Sequence, residues 1–458
     1  MEILALIPGI FAAFVAFFRS PQRAFLDVYL PVLLLLPEYY RWSAPGLPDP
    51  TFSQAAVLPV AAAFFVRGFS SRWRFSFADI LVFGFAFCVG YSEYLNAGYK
   101  EAQNLMFDML AWVISPYVLA KGLIEPGGLR VEFAKRLVML LAVVSIIGVY
   151  EFRIGATPYR LALDRFFPWQ GLGWVTTFRW GFARIAGPYG HAILAGVMLV
   201  TGFRIQRWLE WSGVWEPKFR RFSAHPFSKA RMLTLALLGG VFMTLTRGPW
   251  IGAFLAAGAT AIGRAKNQRR AAGIAATAVL LVGAPTFVAL WSYASVGREN
   301  ARTVAQESAA YRKELIDQYV EIAIEKSVWG WGRNTWPKVS GMPSIDNYYL
   351  LLSLMHGLMA LAFLLGIFLF MSVQLFLRGM STPPAQPPGS SLAFTLLGIY
   401  FAIGFSIATV YMGNQVIPLF FMITGWSEGY LLSRRESVGE APARAMALPM
   451  FRFRRVLT

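Results

Sequence analysis

The sequence predicts an all-α protein: a polytopic transmembrane helical bundle of about 12–13 spans with a long, partly helical outer loop. Three observations carry that expectation. Of the 458 residues, 57% are hydrophobic and 14% charged, with mean hydropathy +0.51. A soluble domain carries about a quarter charged residues, so most of this surface faces something other than water. The apolar residues also gather into continuous runs rather than the roughly ten-residue alternating segments of a barrel. Finally, the basic residues crowd onto one side of those runs.

In chain order the runs are Ile3–Phe18, Ala24–Leu36, Phe52–Val66, Phe77–Leu95, Leu105–Ala120, Leu137–Tyr150 and Tyr189–Phe203. Leu233–Leu245, Trp250–Gly263, Ala271–Tyr293, Tyr348–Phe376, Leu392–Tyr411 and Val416–Leu432 follow. Several cores are short and must extend into the interface to span. With thirteen spans and an outer N-terminus, the inner segments hold 27 of the 42 Lys and Arg. These include Arg67, Arg72 and Arg74, the group Lys121 to Arg136, Arg204 through Arg231, Arg264 to Arg270, and the tail from Arg434 to Arg455. Of the 15 on the outer side, only Arg41, Lys100 and Arg247 sit in short loops. That is the asymmetry of positive-inside orientation. The net charge of +18 therefore reads as topology and contact with anionic membrane lipids, not as nucleic-acid binding. The N-terminus lacks basic residues and a small-residue cleavage site, so no removable leader is expected. Cys88, alone inside a run, offers no disulfide or metal pair.

Six regions follow from this pattern: N-terminal spans over 1–152, an outer loop over 153–188, central spans over 189–293, a long outer loop over 294–347, C-terminal spans over 348–433 and a basic inner tail over 434–458. The two outer loops hold 12 of the 15 outer basic residues. Long loops escape the orientation rule, so attraction to an anionic ligand is one explanation for those charges. Thr303–Ser327 contains no Pro or Gly and places Tyr311, Leu315, Tyr319 and Ile322 along one face, the pattern of an amphipathic helix. Trp329, Trp331 and Trp336 follow and suit an interfacial aromatic belt, with a sugar-stacking platform as the sharper alternative. A Pro/Ser linker lies near Ser381–Ser391.

Three short stretches carry chemistry. In LTRGPW, Arg247 stands between two runs joined by almost no loop, with Pro249 fitting the first turn of the next helix. An arginine at membrane depth is costly unless paired or wet. It either caps the preceding carbonyls and snorkels, or binds an anion. In RIAGPYGHAILAG, Gly187, Pro188 and Gly190 allow a tight turn after Arg184, and the following helix start points its positive end outward. His191, at that start, reads as a hydrogen-bonding residue of the structure or as a catalytic one. In IDNYYLLLSLMHG, Asp346 and Asn347 stand at the outer end of a long span, where Asp346 is a candidate N-cap, a role compatible with proton transfer. His356, further in, reads as a packing or within-bundle hydrogen-bonding residue.

These stretches resemble a known family. LTRGPWIGAF is similar to the S/T-R-G-x-W-x-G segment of the O-antigen ligase and polymerase superfamily, the Wzy- and WaaL-type membrane glycosyltransferases. RIAGPYGHAILAG resembles its R-x-x-G segment, and GWGRNTW followed by DNYYLLLSLMHG resembles its G-x-G loop and H/D-N-x-Y-L helix start. The motifs come in family order from Arg179 to the C-terminus; the first six spans match in hydropathy alone.

The resemblance implies a GT-C-like bundle in the bacterial inner membrane, working at the periplasmic face on an undecaprenyl-diphosphate-linked glycan donor. The acceptor is another glycan or lipid A-core, membrane lipids surround the site, and a chain-length regulator is an implied partner. Guanidinium groups bind the oxygens of a departing diphosphate bidentately, so Arg184 and Arg247 are expected to hold it, helped by Arg312 and Arg179, with no metal or cofactor required. The acceptor hydroxyl needs a proton acceptor. The ligase branch uses a His there; the matching position here is Asp346, as in exopolysaccharide-polymerase-like members, with Asn347 or Tyr349 orienting it and His191 lining the substrate site. An inverting reaction would follow from the family's mechanism. The expected function is therefore polymerisation of lipid-linked repeat units. An O-antigen ligase is the alternative, and a flippase or transporter of an anionic lipid the alternative from another class. Transporters place their ionisable residues near the midplane, often with repeats, whereas the charged candidates here cluster at one face.

Overall fold

The computed structural model describes residues 2–43, 48–219, 226–342, 344–382, 390–413 and 415–433. The expected basic tail, Arg220, Arg221 and most of the Pro/Ser linker lie outside the described residues. The fold is all-α and polytopic. Every expected apolar run falls on a helix: α1 (Glu2–Phe18), α2 (21–35), α3 (Phe52–Val66), α4 (Phe77–Ala97), α5 (Tyr99–Leu123), α6 (Arg130–Ile154), α7 (Ala192–Trp211), α8 (Lys229–Met243), α9 (Arg247–Arg264), α10 (Gln268–Ala294), α12 (Tyr348–Ser381), α13 (Leu392–Ile407) and α14 (Val416–Leu432). The loop helix α11 is Val304–Glu325. Among the described residues, six helices are long and apolar enough on their own to cross a membrane: α4, α5, α6, α7, α10 and α12.

Three spans contain a π-turn, at Phe25–Tyr29, Met109–Ile114 and Val279–Gly283. Each precedes a proline, at Pro31, Pro116 and Pro285. Proline has no N–H, and its ring would strike the carbonyl four residues back, so widening that turn keeps the helix continuous. Small residues let α9 and α13 approach closely. A Cβ on Gly252 of α9 would lie 2.9 Å from the Ala402 carbonyl of α13, and one on Gly398 would lie 2.8 Å from that of Ala256. Such approach of backbones is what holds helices together where lipid offers no hydrophobic gain.

The outer segments are folded. The first packs Phe167 and Trp174 with Tyr40, Phe52 and Ala5, and the Tyr40 hydroxyl donates to Asp164 at 2.6 Å. In the second, α11 starts on its Thr303 cap, and Leu315, Tyr319 and Ala323 bury themselves against Met342, Ile345 and the start of α12. Here Tyr311 and Ile322 sit on the expected apolar face.

The stretch after α11 inserts into a kink in α12 at Gly357 (φ +78°). A side chain there would collide with the Val328 carbonyl. The kink frees carbonyls that the insertion satisfies: Trp331 N–H donates to Leu354 O and Gly332 N–H to Met355 O, both at 2.8 Å. The three tryptophans expected as a belt are half-buried in this insertion. Trp331 Nε1 donates to the Ile322 carbonyl at 2.9 Å and Trp336 Nε1 to that of Arg333 at 3.1 Å. The N–H groups of these two find partners inside the loop. His356, buried beside the kink, has Nδ1 3.3 Å from the Ser92 hydroxyl, a within-bundle contact. Cys88 is buried in α4 as a free thiol.

Candidate functional site

The first outer segment ends in a two-stranded hairpin, β1 (Phe178–Arg179) and β2 (Phe182–Ala183). Trp180 (φ +53°) and Gly181 (φ +81°) form its two-residue turn, a left-handed pair that matches the twist of the strands. The hairpin presents Arg179, and Arg184 just beyond it. Both reach the three-residue turn between α8 and α9. Arg179 Nη1 donates to the Leu245 carbonyl. Arg184 Nε donates to the Thr244 carbonyl at 3.4 Å and its Nη1 to the Thr177 hydroxyl at 3.3 Å. The Ile185 N–H closes on the Met243 carbonyl at 3.2 Å. Leu245 is left-handed (φ +48°), a conformation that costs a side-chain-bearing residue about 1–2 kcal/mol, a cost that these hydrogen bonds to the turn offset.

Arg247 opens α9 with its side chain exposed, and it has no hydrogen bond or ion pair to any described residue. The carbonyls that one reading of the sequence assigned to Arg247 are taken instead by Arg179, Arg184 and Ile185. The physical reason is that the hairpin supplies three donors within residues 179–185, whereas Arg247 already opens the next helix.

Arg312 lies on the exposed side of α11, whose position is fixed by the Tyr311 hydroxyl donating to the Ser344 carbonyl at 2.6 Å and by Val339 N–H donating to the Tyr319 hydroxyl at 2.9 Å. Burial, then the charges of Arg247 and Arg312, hold Arg179 below the ordinary guanidinium range. Burial and the Arg179 charge push Arg184 down to about 10. Arg179 thus lies within electrostatic reach of Arg184, Arg247 and Arg312, and among the described residues none of the four has an acidic partner. Mutual repulsion of this kind is relieved by a multivalent anion.

His191 is the N-cap of α7, its Nδ1 accepting from the Ile193 N–H at 3.2 Å, which leaves the proton of the neutral ring on Nε2. Burial and Arg184 hold its pKa below the usual imidazole value, opposed by Asp346, so His191 senses both the arginine cluster and Asp346.

At the start of α12 the cap is Asn347, not Asp346: Asn347 Oδ1 accepts from the N–H groups of Tyr349 (3.0 Å) and Leu350 (3.2 Å). The cap oxygen must fold back over the first turn, and Asp346 stands one residue too early. The half-buried Asp346 accepts instead from the Ser344 hydroxyl at 3.3 Å. The Tyr349 hydroxyl donates to the Gly404 carbonyl at 2.9 Å. It ties α12 to α13 and makes no bond to Asp346.

One positioning residue escaped the sequence reading. Glu151, 1% exposed in the last turn of α6, accepts from the consecutive N–H groups of Ala186 (3.1 Å) and Gly187 (3.0 Å). It holds the backbone that carries Arg184 toward His191. The only signal was an acidic residue at the end of an apolar run. Glu151→Ala leaves two buried N–H groups unpaired, at about 1–3 kcal/mol each. We expect at least a roughly tenfold loss of activity from protein that still inserts. Unchanged turnover would show that Arg184 is held without it.

Residues 232–365 match the model of a family described as O-antigen ligase. The matched stretch contains Arg247, Arg312 and Asp346 to Tyr349 but not the hairpin arginines or His191. No curated protein matches the chain. The family match bears out the resemblance to the O-antigen ligase/polymerase superfamily and, with the apolar helices, supports a multi-pass membrane enzyme of glycan processing.

Proposed function

We propose that this protein polymerises undecaprenyl-diphosphate-linked oligosaccharide repeat units into a surface polysaccharide at the periplasmic face of the bacterial inner membrane. The observation that carries the reading is that Arg179 lies within electrostatic reach of Arg184, Arg247 and Arg312, that none of the four has an acidic partner among the described residues, and that the neighbouring His191 is influenced by both Arg184 and Asp346. A hydroxyl of the acceptor glycan attacks the anomeric carbon of the donor. The bond from that carbon to the diphosphate oxygen breaks, and the diphosphate leaves with the electron pair. Its charge spreads over oxygens that guanidinium groups meet with paired N–H donors. Donors already in place cost no reorganisation as that charge develops. The acceptor proton passes to the Asp346 carboxylate. His191, neutral, offers its Nε2–H to a sugar hydroxyl.

The match to a family described as O-antigen ligase favours a second reading, transfer of the glycan to lipid A-core by a ligase. Asp346, where the ligase branch carries His, favours the polymerase. The deciding experiment supplies purified protein with a lipid-diphosphate-linked repeat unit, with and without a lipid A-core acceptor. A ladder of longer lipid-linked glycans without core is the expected result. Product only with core makes it a ligase, and no transfer with either defeats both readings.

A further inference from the structure

Arg204 lies within the spanning helix α7, its side chain only 6% exposed. Its Nε has no hydrogen-bond partner, and among the described residues the guanidinium makes no ion pair; it lies 4.6 Å from the centre of the Phe203 ring, which carries no counter-charge. The cations around it are engaged. Arg207 pairs with Glu210, and the Arg264 guanidinium lies 3.9 Å from the Trp211 ring centre. A guanidinium at this depth without a counter-charge is costly unless something else supplies one.

Arg204 also lines a cavity of about 320 Å³ between α7, α8 and α9, whose other walls include Phe203, Leu238, Phe242, Trp250 and Phe254. Apart from the guanidinium, the lining is almost wholly apolar. Phe242 and Phe254, 58% and 78% exposed, open the rim outward from the bundle, toward the acyl chains of the bilayer. An unpaired cation in an apolar, lipid-facing groove is complementary to an amphiphile with an anionic head and a hydrocarbon chain.

We propose that this groove binds one membrane phospholipid, its phosphate on Arg204 and an acyl chain along the phenylalanine-lined wall. Arg204 stands about three and a half turns beyond His191, roughly 20 Å along α7, past the middle of a hydrocarbon layer roughly 30 Å thick. The lipid therefore enters from the leaflet remote from the arginine cluster. It is a different molecule from the donor, and the proposal stands whether or not the glycan-transfer reading does. Its role is to neutralise Arg204 and to seal the seam where α8 and α9 meet α7, beneath the turn that Arg179 and Arg184 latch.

The test uses the full chain, purified in neutral detergent, stripped of lipid and titrated with phosphatidylglycerol, with bound lipids counted by native mass spectrometry. The wild type is expected to keep one lipid more than Arg204→Met, whose apparent affinity for that lipid falls roughly tenfold or more. Ala257→Phe, which fills the groove and leaves the charge, is expected to lose the same lipid, and Arg204→Lys to retain it in part. Equal lipid counts in the wild type, Arg204→Met and Ala257→Phe overturn the proposal. Displacement of phosphatidylglycerol by equimolar undecaprenyl phosphate also overturns it, in favour of the carrier lipid as occupant.

Discussion

Arg247→Ala is expected to lower glycan transfer by roughly 10²–10³-fold, the usual cost of removing one preorganised donor from a developing negative charge, while membrane insertion and thermal stability stay near normal. The structure makes this substitution unusually readable. Arg179 and Arg184 each spend N–H groups on the α8–α9 turn, so removing either disturbs the fold as well as the charge. Arg184→Ala is expected to abolish transfer too, with that second effect included. Arg247 has no such duty, so its loss reports on the anion alone. Arg247→Lys keeps the charge but not the planar fork, and should fall between the wild type and alanine. The check is product formed per enzyme in the purified assay, beside the unfolding temperature. Near-normal product from Arg247→Ala would remove it from the proposed site.

Asp346→Asn is expected to cost roughly 10²–10⁴-fold in turnover, the range for a positioned proton acceptor, with little change in stability. An amide keeps an oxygen for the Ser344 hydroxyl but cannot take the acceptor's proton. The adjacent Asn347→Ala supplies the contrast. Asn347 is the cap of α12, so its loss should cost about 1 kcal/mol of stability and much less turnover. Had Asp346 been the cap, the two effects would be inseparable in one residue. Full turnover by Asp346→Asn would end the general-base assignment and leave the arginines as the catalytic machinery.

How much was legible beforehand varies with the range of the interaction. The amphipathic face of α11 was readable because Tyr311, Leu315, Tyr319 and Ile322 recur at helical spacing within one segment. Arg247 and Arg184 stood out because charge at a span end is expensive wherever the chain goes afterwards. The cap at Asn347 differed by one residue, since Asp and Asn both suit the position and the register of the first turn decides between them. Trp331 and Trp336 also close their N–H groups onto Ile322 and Arg333 within the loop, partners that hydropathy alone does not indicate. Glu151 gave almost no signal, because its partners at Ala186 and Gly187 lie more than thirty residues away.

The sequence by itself determined the all-α class, the order of the apolar helices and the motifs that bear the chemistry, because hydropathy and helical period are properties of neighbouring residues. Only the tertiary structure decided that the hairpin arginines latch the α8–α9 turn, that Asp346 stays clear of the cap, that the loop after α11 fills the kink at Gly357 and that Arg204 has no acidic partner among the described residues. Each of these depends on which carbonyl or carboxylate, distant in the chain, comes within about 3 Å of a donor, and local pattern does not encode that distance.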